Sequence, residues 1–144
     1  MRNVIKFIND TSKRSGDWAL LVMRLLLAFG FYHPAVAKFK DIGGTADYFA
    51  SLHFPLPTLS VLVVGTFEFV GFFLLMLGFL TRYISIPLMI IMLVAILVVH
   101  LTNGYPAADN GFEVPLTYLI MLFVLFSKGP GKFSIDETVV NKIR

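Results

Sequence analysis

Hydrophobic positions fall into four long runs, and charge is almost confined to the gaps between them. The clearest run covers 58–80, TLSVLVVGTFEFVGFFLLMLGFL, with a single ionisable residue, Glu68, near its middle. At ~1.5 Å rise per residue it reaches roughly 35 Å as a helix, enough to cross a hydrocarbon core of about 30 Å. Further apolar runs predict spans at about 17–38, 83–101 and 113–127, the last one short. The pattern therefore predicts an all-α protein: a membrane-spanning four-helix bundle, one domain over 1–144.

Within each run the helical wheel assigns faces. Asp17, Arg24, Phe31, Ala35 and Lys38 share a side of the first span, with Asp17 as a helix cap and a kink expected at Pro34. The connection FKDIGGTADYFASLHFPLP is broken by Gly43 and Gly44, and its TADYFASLHF stretch suits a short amphipathic helix on the membrane surface, with His53 exposed. In the second span Val64, Glu68, Gly71, Leu75 and Gly78 align, the glycines inviting a close neighbour. Met89, Leu93, Ile96, Leu97 and His100 align in the third. Glu113 opens the fourth, with Pro115 in its first turn. At the start, Val4, Ile5 and Ile8 with Arg2, Lys6, Lys13 and Arg14 make either an amphipathic lead or a polar tail of topogenic charge. KGPGKFSIDETVVNKIR reads as a basic, soluble tail.

Composition strengthens the membrane reading. The chain is 57% hydrophobic and 15% charged, with a mean hydropathy of +0.80, against about 25% charge in an ordinary soluble domain. Without cysteine there is no disulfide, no thiolate nucleophile and no thiolate-held iron–sulfur cluster. A redox role would need a bound cofactor, a metal held by His and carboxylate, or a partner protein. The net charge of +3 does not point to nucleic acid, because the bases sit at the ends of apolar runs and form no stripe. Arg2, Lys6, Lys13, Arg14, Arg82, Lys128, Lys132, Lys142 and Arg144 fall on one side and only Lys38 and Lys40 on the other. That bias predicts a multi-pass protein of the inner (plasma) membrane with both termini in the cytoplasm. The first apolar run starts late, lacks a small-residue cleavage site and contains Arg24, so it reads as a retained helix and not a signal peptide.

The chemistry on offer is polar and sparse. Arg24 and Glu68 lie at depths that a guanidinium stem can bridge, which makes them an expected pair. Lys38, His100 and Glu113, with Asn103 and Tyr105 close by, reach the outer end from three helices and suggest a pocket opening outward. Each also has a plain explanation: a register-fixing ion pair, a snorkelling lysine, a histidine on a backbone carbonyl, an acid at a helix start. A metal on Glu68, His100 and Glu113 is not backed by any HExxH spacing, and His33 with His100 is the only pair placed for haem.

These residues resemble the DoxX family of small four-helix membrane proteins. The pieces that carry it are Arg24 with Lys38 fourteen residues on, GGTADYFASLHFPLP, Glu68 followed by GFFLLMLGFLTR, VHLTNG around His100, FEVPL around Glu113, and GPGKFSID. Tyr32-His33-Pro34 stands where the family often has His-Gly. The resemblance implies a subunit or accessory of a membrane redox system, quinone-linked, with a redox protein as partner. Glu68 would relay a proton and His100 would hydrogen-bond a quinone oxygen as the catalytic pair, with Arg24, Lys38 and Glu113 binding substrate. Two other functions fit the same residues: a non-enzymatic membrane anchor or assembly partner, and a small-molecule or metal path that would require a homo-oligomer.

Overall fold

The computed structural model describes the backbone of residues 2–143 and the side chains of residues 15–139. Among the described residues the chain is helical throughout, without a strand. The order is α1 (Arg2–Lys40), α2 (Ile42–Ser51), α3 (Pro57–Leu77), α4 (Thr81–Val94), α5 (Glu113–Lys128) and α6 (Ile135–Ile143). Helix α4 runs on through a π turn, Ala95–His100, and a 3₁₀ turn, Leu101–Asn103. Three stretches are long and apolar enough to cross a membrane: Ser15–Lys40, Pro57–Leu77 and Thr81–Asn103. Helix α5 has 16 residues of the same character, about 24 Å in length.

Helix α1 packs mainly on α3, and α4 on α5. Leu27, Phe31, Leu75, Leu88, Leu122 and Leu125 are fully or almost fully buried along the seam. The outward faces are apolar as well: Val22, Phe29, Ile90, Leu97 and Phe123 are each more than half exposed. An apolar exterior around an apolar seam suits a lipid solvent, in which side chains need not be sorted by polarity.

Several local expectations are corrected. Asp17 does not cap a helix, because α1 begins well before it; its carboxylate meets Lys132 Nζ at 3.1 Å instead. Gly43 and Gly44 do not break the chain but form the first turn of α2, capped by the Asp41 carboxylate on the Gly44 N–H at 2.8 Å. The buried side of α4 carries Ile84, Leu88, Met92 and Ile96, whereas Leu93 and Leu97 face outward. A wheel drawn to include His100 puts Leu93 and Leu97 on the wrong side, because the π turn holds extra residues and carries His100 off a 3.6-residue period. The side chains of the N-terminal lead, and those of Lys142 and Arg144, lie outside the described residues.

The tail is not a free soluble extension. Ser134 caps α6, its hydroxyl accepting from the Glu137 N–H at 3.2 Å. The Asp136 carboxylate accepts from the N–H groups of Leu80 and Thr81 at 2.8 and 3.0 Å, capping the start of α4. Phe133 packs its ring on Trp18, with centroids 4.5 Å apart. Beneath them lies Arg24, which has no exposed surface. It donates to the Leu75 carbonyl at 3.4 Å and to the Phe133 carbonyl. One guanidinium thus ties α1 both to the end of α3 and to the tail.

Gly78 makes room for that guanidinium. It has φ +64°, and a Cβ there would stand 1.7 Å from Arg24 Nη1. We expect Gly78→Ala to destabilise the protein by on the order of 2–3 kcal/mol through strain and displacement of Arg24. Gly16→Ala, with nothing within 4 Å of its Cβ, should leave stability unchanged or slightly raised. Thermal unfolding in mild detergent, followed by Trp18 fluorescence, compares the two; equal melting points would contradict the role given to Gly78.

Candidate functional site

Glu68 sits 11 residues into α3, about 16 Å along the helix from its start at Pro57. It is 3% exposed. The last turns of α1 bring Lys38 to it, with Nζ 2.8 Å from Oε2. Gly65, one turn before Glu68, faces the same part of α1: a Cβ there would be in ordinary contact with the Phe39 ring at 3.4 Å and Lys38 Cβ at 3.6 Å. Either charge alone at mid-membrane costs about 3 kcal/mol on insertion scales, and the pairing offsets much of that. Among the described residues no other donor reaches the carboxylate, so Oε1 has hydrogen-bonding capacity in reserve.

The pair lines a cavity of about 730 Å³ between α3, α4 and the connection after α2. Its walls are apolar, with Val63 and Phe67 from α3, Ile90 and Ile91 from α4, and Phe54 and Leu56 from the connection. The only other polar side chain in the lining is Ser60, whose hydroxyl already donates to the Pro55 carbonyl at 2.8 Å. Volume and lining are those of a site for an apolar small molecule with one polar end. The α4 wall is irregular at two points. Pro87 removes the helical bond to the Tyr83 carbonyl, and the π turn starts at Ala95, which also lines the cavity. Sequence reasoning missed both irregularities, although Pro87 inside an apolar run is a visible signal.

The expected constellation is only partly assembled. Glu68 and Lys38 meet, but the Arg24–Glu68 pair does not form. Arg24 is roughly 21 Å from Lys38 along α1 and is taken up by carbonyls of α3 and the tail. His100 and Glu113 do not line the cavity. His100 Nδ1 lies 2.7 Å from the Asn110 carbonyl, which Asn103 Nδ2 also reaches at 3.1 Å. A carbonyl only accepts, so the ring proton belongs on Nδ1. The Glu113 carboxylate accepts from the Ala107 N–H at 3.0 Å. Both residues close the loop between α4 and α5, and the outward polar pocket resolves into a hydrogen-bonded loop. His33 and His53 are exposed. Among the described residues no three His, Asp or Glu side chains converge to hold a metal ion.

The profile of the DoxX family matches residues 19–101, which include both members of the pair and the cavity wall. An uncharacterized protein of Haemophilus influenzae is 32% identical over 130 residues, covering 87% of this chain and 85% of its own. An uncharacterized membrane protein of Mycobacterium tuberculosis is 30% identical over 134 residues, covering 85% and 82%. The chain belongs to the DoxX family. No solved structure matches it. Arg24, Lys38, Glu68 and His100 all fall within the DoxX match, whereas Glu113 and the docked tail lie beyond it.

The ion pair is tested by a double-mutant cycle. Lys38→Met or Glu68→Leu alone should each destabilise this DoxX protein by about 3 kcal/mol, because each strands a charge in a medium of low dielectric. The double substitution should cost clearly less than the sum. Denaturation in detergent micelles measures all four; additive losses would mean that the two groups do not interact.

Proposed function

We propose that this protein is an integral membrane subunit of a quinone-linked redox system, and that its cavity receives a quinone headgroup at the Lys38–Glu68 pair. The observation that carries the reading is the placement of one ion pair in the lining of a largely apolar cavity of about 730 Å³. A quinone matches both parts, with oxygens for the pair and an isoprenoid chain for the apolar walls. Lys38 would donate to a carbonyl oxygen and Glu68 would take or return the proton that accompanies electron transfer. In this reading the electrons themselves pass to or from a redox partner protein; the chain has no cysteine with which to carry them on a thiolate or a thiolate-held cluster. His100 and Glu113 act here by fixing the loop over the α4–α5 end, and Arg24 by holding the tail.

In this reading the chain forms one domain crossing the inner (plasma) membrane four times, with α5 as the fourth span and both termini in the cytoplasm. The charge distribution supports that orientation: Arg82, Lys128 and Lys132 belong to one end of the bundle, Lys38 and Lys40 to the other.

Mass spectrometry of lipids extracted from protein purified in mild detergent should find quinone in near-stoichiometric amount. A short-chain quinone analogue should bind, and Val63→Trp, which fills the cavity, or Glu68→Gln should weaken binding about tenfold or more, on the order of the worth of one charged hydrogen bond. Protein that carries no quinone and binds no analogue overturns the proposal and leaves the non-enzymatic anchor as the better account.

A further inference from the structure

A second cavity, of about 650 Å³, lies at the opposite end of the bundle, between the α3–α4 turn, the end of α5 and the docked tail. Its lining is unlike that of the first. Arg82, Lys128 and Lys132 reach it together with Asp17, Asp136 and Glu137. The formal balance is even, but the acids have hydrogen-bond or ion-pair partners of their own. Asp17 holds Lys132, Asp136 is spent on two backbone N–H groups of α4, and Glu137 is engaged by other contacts. Arg82 and Lys128 are in no ion pair among the described residues. The Arg82 guanidinium rests near the Gly129 backbone, close enough that a Cβ on Gly129 would lie 3.3 Å away. Two cations therefore face one cavity without a salt-bridge partner among the described residues, while Asp136 and Glu137 keep their charge beside them.

The surroundings fix the level of this cavity in the bilayer. Trp18 and Tyr83 are 58% and 73% exposed, and Phe79 and Phe133 are exposed beside them. Such a ring of aromatic side chains marks the boundary between acyl chains and headgroups. Phe79, Leu80 and Tyr83 also line the cavity, so an apolar side adjoins the cationic one. Basic pockets between membrane helices at this level take acidic headgroups.

We infer that the cavity framed by Arg82, Lys128 and the α3–α4 turn binds the phosphate headgroup of an acidic phospholipid. The phosphodiester oxygens pair with Arg82 and Lys128, the former able to bind two oxygens at once, while the acyl chains descend over Phe79 and Leu80. The bound lipid would bridge α4, α5 and the tail segment, joining parts of the chain that Arg24 already ties from within.

Native mass spectrometry of the detergent-solubilised full chain, titrated with phosphatidylglycerol and with phosphatidylcholine, tests this. The wild type should prefer phosphatidylglycerol by about tenfold or more, as expected of two interfacial cations. The double variant Arg82→Gln/Lys128→Gln should lose that preference while keeping its melting point without added lipid. Should the double variant fail to fold, Lys128→Gln alone, an exposed site, should lose a measurable part of the preference. Selectivity unchanged by these substitutions overturns the inference. So does inorganic phosphate competing as well as the lipid, which would make this a site for a soluble anion.

Discussion

A charged side chain in hydrocarbon has no water to turn to, so every ion in these helices must find its partner within the protein. Two buried ions among the described residues, Glu68 and Arg24, meet that demand, and the architecture depends on how they do so. Glu68 is answered by a side chain, Lys38, which fixes α1 against α3 at one depth. Arg24 is answered by backbone carbonyls, from Leu75 and Phe133, which fixes α1 against α3 at the other end and brings the tail with it. One helix face thus carries two anchors about four turns apart, and together they set both the register and the rotation of the α1–α3 pair.

The two solutions leave different residues of reactivity. At Arg24 the surrounding carbonyls, the tail and Gly78 enclose the guanidinium completely. Nothing from outside can reach it, and its service is structural. At Glu68 a single ammonium group occupies one oxygen, and the carboxylate borders an accessible volume. Burial without full enclosure is what separates a site from a strut. For this reason the Lys38–Glu68 pair, and not Arg24, is the one that a molecule in the cavity could touch.

Much of this is legible in the sequence because hydrophobic runs and lone charges are strong signals in a membrane protein. The runs locate α1, α3, α4 and α5, and the isolation of Glu68 marks it as the residue to house. Its partner is misassigned because depth arithmetic cannot see the tail. Arg24 and Lys38 both lie on the Glu68-facing side of α1, and the wheel alone does not say that Phe133 and Asp136 fold back to claim the space near Arg24. Chemistry alone draws His100 and Glu113 toward Glu68, yet their bonds are to backbone groups of the loop only a few residues away. Short-range partners of this kind leave no periodic trace. The π turn is equally silent, since AILVVH reads as uninterrupted apolar helix.

The irregular α4 wall and the apolar lining also bear on how a ligand would arrive. A polar cavity in mid-membrane would fill with water and exclude an isoprenoid tail; an apolar one with no charge at all would not distinguish a quinone from an acyl chain. One ion pair in an apolar cavity avoids both outcomes. It offers an orienting contact of the charged hydrogen-bond class, worth about 1.5–3 kcal/mol, to a headgroup that the lipid tails around it cannot satisfy. On the proposed reading, specificity would come from what the alternatives leave unpaired: an acyl chain seated in the cavity would cover Glu68 and Lys38 without hydrogen-bonding either, and a molecule with oxygens at that depth would not.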